Sequence, residues 1–80
     1  MPRRIQVRAD WDAEAQVWVA TSDDVPGLVT EAPDLSTLTI KLRVMIPELL
    51  EANDHLADEE IRSIPVNLIA HREELISLRD

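Results

Sequence analysis

Apolar and polar residues alternate from Ile5 to Trp11, with Ile5, Val7, Ala9 and Trp11 at period two and Gln6, Arg8 and Asp10 between them. This spacing predicts a half-buried strand. A short polar stretch, Asp12 to Ala15, leads into Gln16 to Ser22, where Val17, Trp18, Val19 and Ala20 run without interruption. The two segments predict a hairpin. A four-residue loop makes Trp11 face Gln16 and Ala9 face Trp18, so that Ile5, Val7, Ala9, Trp11, Trp18 and Ala20 share one face. A three-residue loop places Val17 and Val19 there instead, because a one-residue slip turns every side chain over. In either register the second strand is apolar on both sides, as expected of a central strand.

Asp23-Asp24-Val25-Pro26-Gly27 holds the chain's one glycine directly after a proline. It predicts a tight turn, since proline fixes φ for the second position and glycine supplies the positive φ that a type II turn needs at the third. Leu28 to Ala32 reads as a third strand closed by Pro33. Asp34 or Ser36 can cap a helix. Leu35, Leu38, Leu42, Met45 or Ile46, Leu49 and Leu50 recur at three- and four-residue steps along it. Pro47 removes the hydrogen bond to Arg43 and predicts a kink near residues 43 to 47. Asn53 to Glu60 is polar and ends the helix. Ile64, Val66, Leu68 and Ala70 alternate again and predict a fourth strand, which Pro65 assigns to an edge or entry position. Glu73 to Asp80 is open between an extension of that strand, a helical turn and a segment lying on a second copy of the chain.

The expected fold is α+β: a three-stranded antiparallel meander, one helix packed on one face, and a fourth strand, in the order β-β-β-α-β over a single domain, residues 1–80. The helix returns the chain along the sheet, so the fourth strand runs parallel to the first or the third, with the first preferred. One helix covers one face of such a sheet. Strand two, with Leu28 and Val29 of strand three, is therefore expected to show apolar atoms on the uncovered side, where such a patch marks an interface.

Composition narrows the function. The chain has 80 residues, no Cys and a formal net charge of −8. A domain this small buries only about 60% of its unfolded surface, so its stability is expected to lean on self-association. The lack of Cys excludes thiol catalysis and a disulfide scaffold, and the polar start, Pro2-Arg3-Arg4, has no apolar run behind it to act as a signal peptide or membrane span. The expected location is cytoplasmic. A negative field repels nucleic acid phosphates and attracts basic proteins.

Catalytic chemistry is thinly represented. Asp54-His55 with Asp58, Glu59 and Glu60 offers cation-ligand types without a fixed histidine pair or a loop glycine, and reads as a solvated acidic loop. Asp10, Asp12, Asp23, Asp24 and Glu31 cluster near strand ends, where Asp is common for conformational reasons. His71 is expected on the face opposite Val66 and Leu68, as a surface residue. Trp11 and Trp18 lack the basic groove of a base-stacking platform, since Arg3, Arg4 and Arg8 are the one local cationic cluster. The expectation is no enzyme, no cofactor and no metal.

The order of elements, with Asp24-Val25-Pro26-Gly27-Leu28-Val29-Thr30, Trp11-Asp12 and Glu14-Ala15, Val17-Trp18-Val19-Ala20, and Ile46-Pro47-Glu48-Leu49-Leu50-Glu51, resembles the HicB-like antitoxin fold over nearly the whole chain. Within it the match is to a short stand-alone branch of uncharacterised domains. The resemblance implies a domain that neutralises a small basic RNA-cleaving toxin of HicA type. The chain stops soon after the fourth strand, so the separate DNA-binding segment of such antitoxins, and operon repression with it, is not carried over. Ala32-Pro33-Asp34 and Leu38-Thr39 also depart from the Gly-Asp-Ser/Thr and Glu-Ala pairs usual there. The expected partner surface is Val17, Trp18, Val19, Asp24, Pro26, Gly27 and the acidic helix residues Glu48 and Glu51. An orphan homo-oligomeric domain, most simply a dimer with no toxin, is the alternative.

Overall fold

A computed structural model describes residues 4–52 and 64–78. The acidic Asp54 to Glu60 cluster, Arg3, and the end of the chain beyond Leu78 lie outside the described residues.

The order is β1 (Ile5–Asp12), β2 (Val17–Thr21), β3 (Val29–Ala32), α1 (Leu35–Ala52) and β4 (Val66–His71). The strands form one mixed sheet in the order β3-β2-β1-β4. The first three are antiparallel neighbours, and β4 joins the outer side of β1 in parallel. The whole is thus a mixed sheet rather than a simple meander, with the helix making the crossover that a parallel strand requires. Pro65 lies just before β4, its carbonyl accepting a hydrogen bond from Ile5 N at 2.9 Å.

The hairpin register differs from the expected one by two positions. Trp11 pairs with Trp18, Ala9 with Ala20 and Asp12 with Val17, rather than Trp11 with Gln16. The turn begins one residue later because Asp12 nucleates it. Its carboxylate accepts from Glu14 N and Ala15 N at 3.0 and 3.2 Å, and its carbonyl accepts from Gln16 N at 2.8 Å. Gln16 closes the turn at φ 60°, a left-handed conformation, with its own side-chain amide donating to Ala13 O at 2.7 Å. A slip by two preserves the faces, so Ile5, Val7, Ala9, Trp18 and Ala20 all point to the helix side and are buried.

Helix α1 begins at a capped end. Asp34 Oδ1 accepts from Thr37 N at 2.7 Å and Asp34 O from Leu38 N at 3.0 Å, which satisfies donors that have no partner within the helix. Leu38, Leu42, Ile46 and Leu50, four residues apart, are buried against the sheet, and the helix continues through Pro47. The helix approaches the sheet over β3 and β2. Val25 and Leu28 close the core beside it, with Leu28 only 2% exposed. Leu28 is therefore not on the open side as expected. The turn before β3 swings it inward, and Leu28 N bonds back to Val25 O at 3.1 Å.

The cap gives a pH signature. Hydrogen bonds from Thr37 to the ionised Asp34 carboxylate hold its pKa below the ordinary value of 3.8. A depressed folded-state pKa stabilises the fold above the unfolded value and loses that effect as pH falls through the folded one. Asp34→Ala is expected to lower the melting temperature at neutral pH, and the gap to the parent should close below pH 3.8, read by circular dichroism across an acid series. A gap that persists unchanged in acid would refute the role of the charge.

The chain after β4 takes none of the regular forms open to it. From Arg72 to Leu78 it is irregular, and Leu75, Ile76 and Leu78 are 101, 71 and 92% exposed. No helix among the described residues is long and apolar enough to cross a membrane.

Candidate functional site

The sheet has one face under the helix and one without cover. Strand alternation decides what each displays. On the open side β1 presents Gln6, Arg8 and Asp10, β2 presents Val17, Val19 and Thr21, β3 presents Val29 and Glu31, and β4 presents Asn67, Ile69 and His71. The register aligns these in rows: Ile69, Arg8, Thr21 and Val29 in one, His71, Asp10, Val19 and Glu31 in the next. Val29 is 65% and Ile69 44% exposed, while Val17 and Val19 are half-buried.

The open face therefore has an apolar patch, Val17, Val19 and Val29, on one side of the charged β1 residues and a single apolar residue, Ile69, on the other. Arg8 Nε donates to both Asp10 carboxylate oxygens, at 3.1 and 3.3 Å, along the middle strand. His71 Nδ1 stands 4.0 Å from Asp10 Oδ1, across the β1–β4 pair. Both side chains of the Arg8–Asp10 pair are exposed, so water competes for the pair and it adds little to stability. The pair sets a donor and an acceptor on the open face, between Val19 and Thr21 of β2 on one side and Ile69 and His71 of β4 on the other.

Beyond the end of β2 the sheet is continued by side chains. Ser22 Oγ donates to Gln6 O at 2.6 Å, and Asp24 Oδ2 accepts from Gln6 N at 2.8 Å, replacing both groups of a missing strand residue. Asp24 N in turn bonds to Ser22 Oγ at 3.1 Å. Gln6, Arg8, Thr21, Ser22, Asp23 and Asp24 line a shallow depression of about 370 Å³ at this corner. Three of the five carboxylates near the strand ends are thus drawn into local backbone contacts or ion pairs: Asp12 in the hairpin turn, Asp24 on Gln6 and Asp10 on Arg8. Among the described residues no three His, Asp or Glu side chains group to hold a metal ion.

The residues expected to bind a partner separate onto different surfaces. Val17 and Val19 share the open face. Trp18 does not. Only 9% exposed, it lies on the helix side, edge-to-face with Trp11 at 5.4 Å between centroids and 63° between planes. Alternation within β2 sends it opposite its neighbours, so its place is in the core. Arg72 covers Trp11 with its guanidinium carbon 4.2 Å from the ring centroid and holds Glu74 at 3.0 Å. Glu48 and Glu51 are exposed on the side of α1 away from the buried stripe. Gly27, at φ 87°, sits beside the same helix, where a Cβ would meet Leu49 Cδ2 at 3.6 Å. The space would admit alanine; the backbone conformation is what favours glycine. One partner on the open face therefore cannot also cover Glu48 and Glu51.

Sequence reasoning passed over three exposed groups. Arg8 and Asp10, read from the sequence only as members of charge clusters, cross the open face, a placement already contained in the alternation that buries Ile5, Val7 and Ala9. Ile69 follows in the same way from Leu68. Ile40 and Val44, 60 and 57% exposed, form a four-residue step on the outside of α1 that the leucine stripe overshadows.

Comparison with known proteins places the chain in a class. Residues 4–77 match the family described as a domain of unknown function, DUF1902, and the chain belongs to that family. It is similar to the crystal structure of the hypothetical protein TTHA1013 from the extremely thermophilic bacterium Thermus thermophilus. The two are 46% identical over 95% of this chain and all of that one, with a TM-score of 0.64. No curated protein matches the chain.

Proposed function

We propose that this domain is a non-enzymatic protein-binding module, antitoxin-like, whose open sheet face receives a small basic protein such as an RNA-cleaving toxin of HicA type. The observation that carries this reading is the uncovered face itself, with Val17, Val19, Val29 and Ile69 flanking Arg8 and Asp10 on a chain of net charge −8. The valine patch and Ile69 supply contact area, and the polar pair between them sets register with the partner. The blocks around Pro26-Gly27 and Ile46-Pro47-Glu48 resemble the HicB-like fold and favour a toxin over other basic proteins. The acidic surface speeds encounter, and that part of the interaction weakens with salt.

The test is reconstitution with any small basic protein found encoded beside this one. We expect co-elution at low and moderate salt and inhibition of ribonuclease activity. Val19→Lys should weaken the complex at least about tenfold, since it buries a charge in the contact, while leaving the circular dichroism spectrum unchanged. Failure to co-elute with any such candidate in either salt condition would remove the antitoxin reading.

A further inference from the structure

The two edges of the sheet are finished differently. At one edge β3 has four residues, is followed by Pro33, and carries a cation where Lys41 Nζ donates to Glu31 O at 2.6 Å. Short length, proline and lysine are the usual means by which a sheet edge is closed to further pairing. At the other edge β4 has six residues, Val66-Asn67-Leu68-Ile69-Ala70-His71, with no Lys, Arg, Asp or Glu among them. Five of the six are exposed, with Leu68 half-buried. Among the described residues its one backbone partner is β1.

The segment leaving this strand has the opposite excess. Arg72 is held on Trp11, and beyond it Leu75, Ile76 and Leu78 stand almost wholly in solvent. The described chain measures 59 × 23 × 19 Å with a radius of gyration of 15.3 Å, against roughly 12 Å for a compact domain of this length. The arm therefore does not fold back onto its own body. An edge with no second strand among the described residues and an exposed arm belong to the same molecule and adjoin each other in sequence, which is the condition for a self-complementary, two-fold contact.

We infer that two copies of this chain pair through β4, edge to edge and antiparallel, into a continuous eight-stranded sheet, each arm crossing onto the other copy. In that arrangement the arm leaving one β4 passes the start of its partner's β4. There Leu75, Ile76 and Leu78 leave solvent beside the start of the partner's strand, near Val66. The occupant is a second copy rather than a basic protein because β4 carries no Asp or Glu for a basic protein to pair with and the arm meets it through Leu75, Ile76 and Leu78. The open face with Val17 and Val19 stays free, so this pairing does not depend on the proposed function.

Sedimentation equilibrium of the full chain over a concentration series tests it. We expect a dimer that tightens as salt rises, because two bodies of charge −8 repel; a complex with a basic protein would respond in the reverse sense. Combined Leu75→Asp, Ile76→Asp and Leu78→Asp should raise the dimer dissociation constant at least about a hundredfold, and these exposed positions leave the fold intact. Val66→Lys should act in the same direction by placing a charge on the edge, and alternate β4 amides should lose hydrogen-exchange protection when the dimer dissociates. A monomer at every concentration and salt would overturn the inference, as would a dimer indifferent to both variants.

Discussion

Trp18→Ala is expected to cost about 3 kcal/mol or more of folding free energy, against a total of roughly 4 to 12 kcal/mol for a domain this size. The side chain is 9% exposed, belongs to the same buried cluster as Ala20, Ala32 and Leu38, and meets Trp11 edge to face. Removing it takes away both the transfer free energy of a large aromatic and the ring contact, and it leaves a void between sheet and helix that the short side chains beside it cannot fill. Trp11→Ala should cost less, about 1 to 2 kcal/mol, because Trp11 is only half-buried and its outer contact is Arg72. Urea unfolding of both variants measures the difference. A Trp18→Ala protein as stable as the parent would mean that this residue serves an external contact after all.

The second large effect lies in the helix. Leu38 is fully buried at the head of the stripe that continues through Leu42, Ile46 and Leu50. Leu38→Ala should destabilise by about 3 kcal/mol, within the usual range of about 2 to 5 kcal/mol for such truncations. Ile40→Ala, two residues along but on the outer side, should change stability by about 0.5 kcal/mol or less. Denaturation with an unchanged m-value would show that the native packing, not the unfolded ensemble, carries the loss. Equal costs at the two positions would contradict the assignment of the helix faces.

Much of this architecture is legible in the chain. Alternation from Ile5 to Trp11, the leucine spacing after Asp34 and the proline before Val66 are each governed by local physics, and they locate β1, α1 and an edge strand. Register is harder. The hairpin turn closes on Gln16 at positive φ, a conformation associated with glycine or asparagine, and it follows the Asp12 side chain rather than loop composition. Leu28 misleads because its inward direction depends on the preceding turn, which alternation within a strand does not describe. The candidate surface is legible at Val17 and Val19, but only once the faces are known does Trp18 move to the core and Arg8 with Asp10 appear beside the valines. For Leu75, Ile76 and Leu78, apolar character signals burial without saying whether the cover comes from the same molecule or another.

The Ser22 and Asp24 contacts with Gln6 have a mechanical consequence. They fasten the beginning of the chain to a loop whose far end, at Gly27, rests beside Leu49 near the close of the helix. A tug on the first strand is thereby transmitted through two short side chains to a point more than forty residues away. Lengthening either tether by one methylene, Asp24 to glutamate included, would slacken a strut that ties three parts of the fold together.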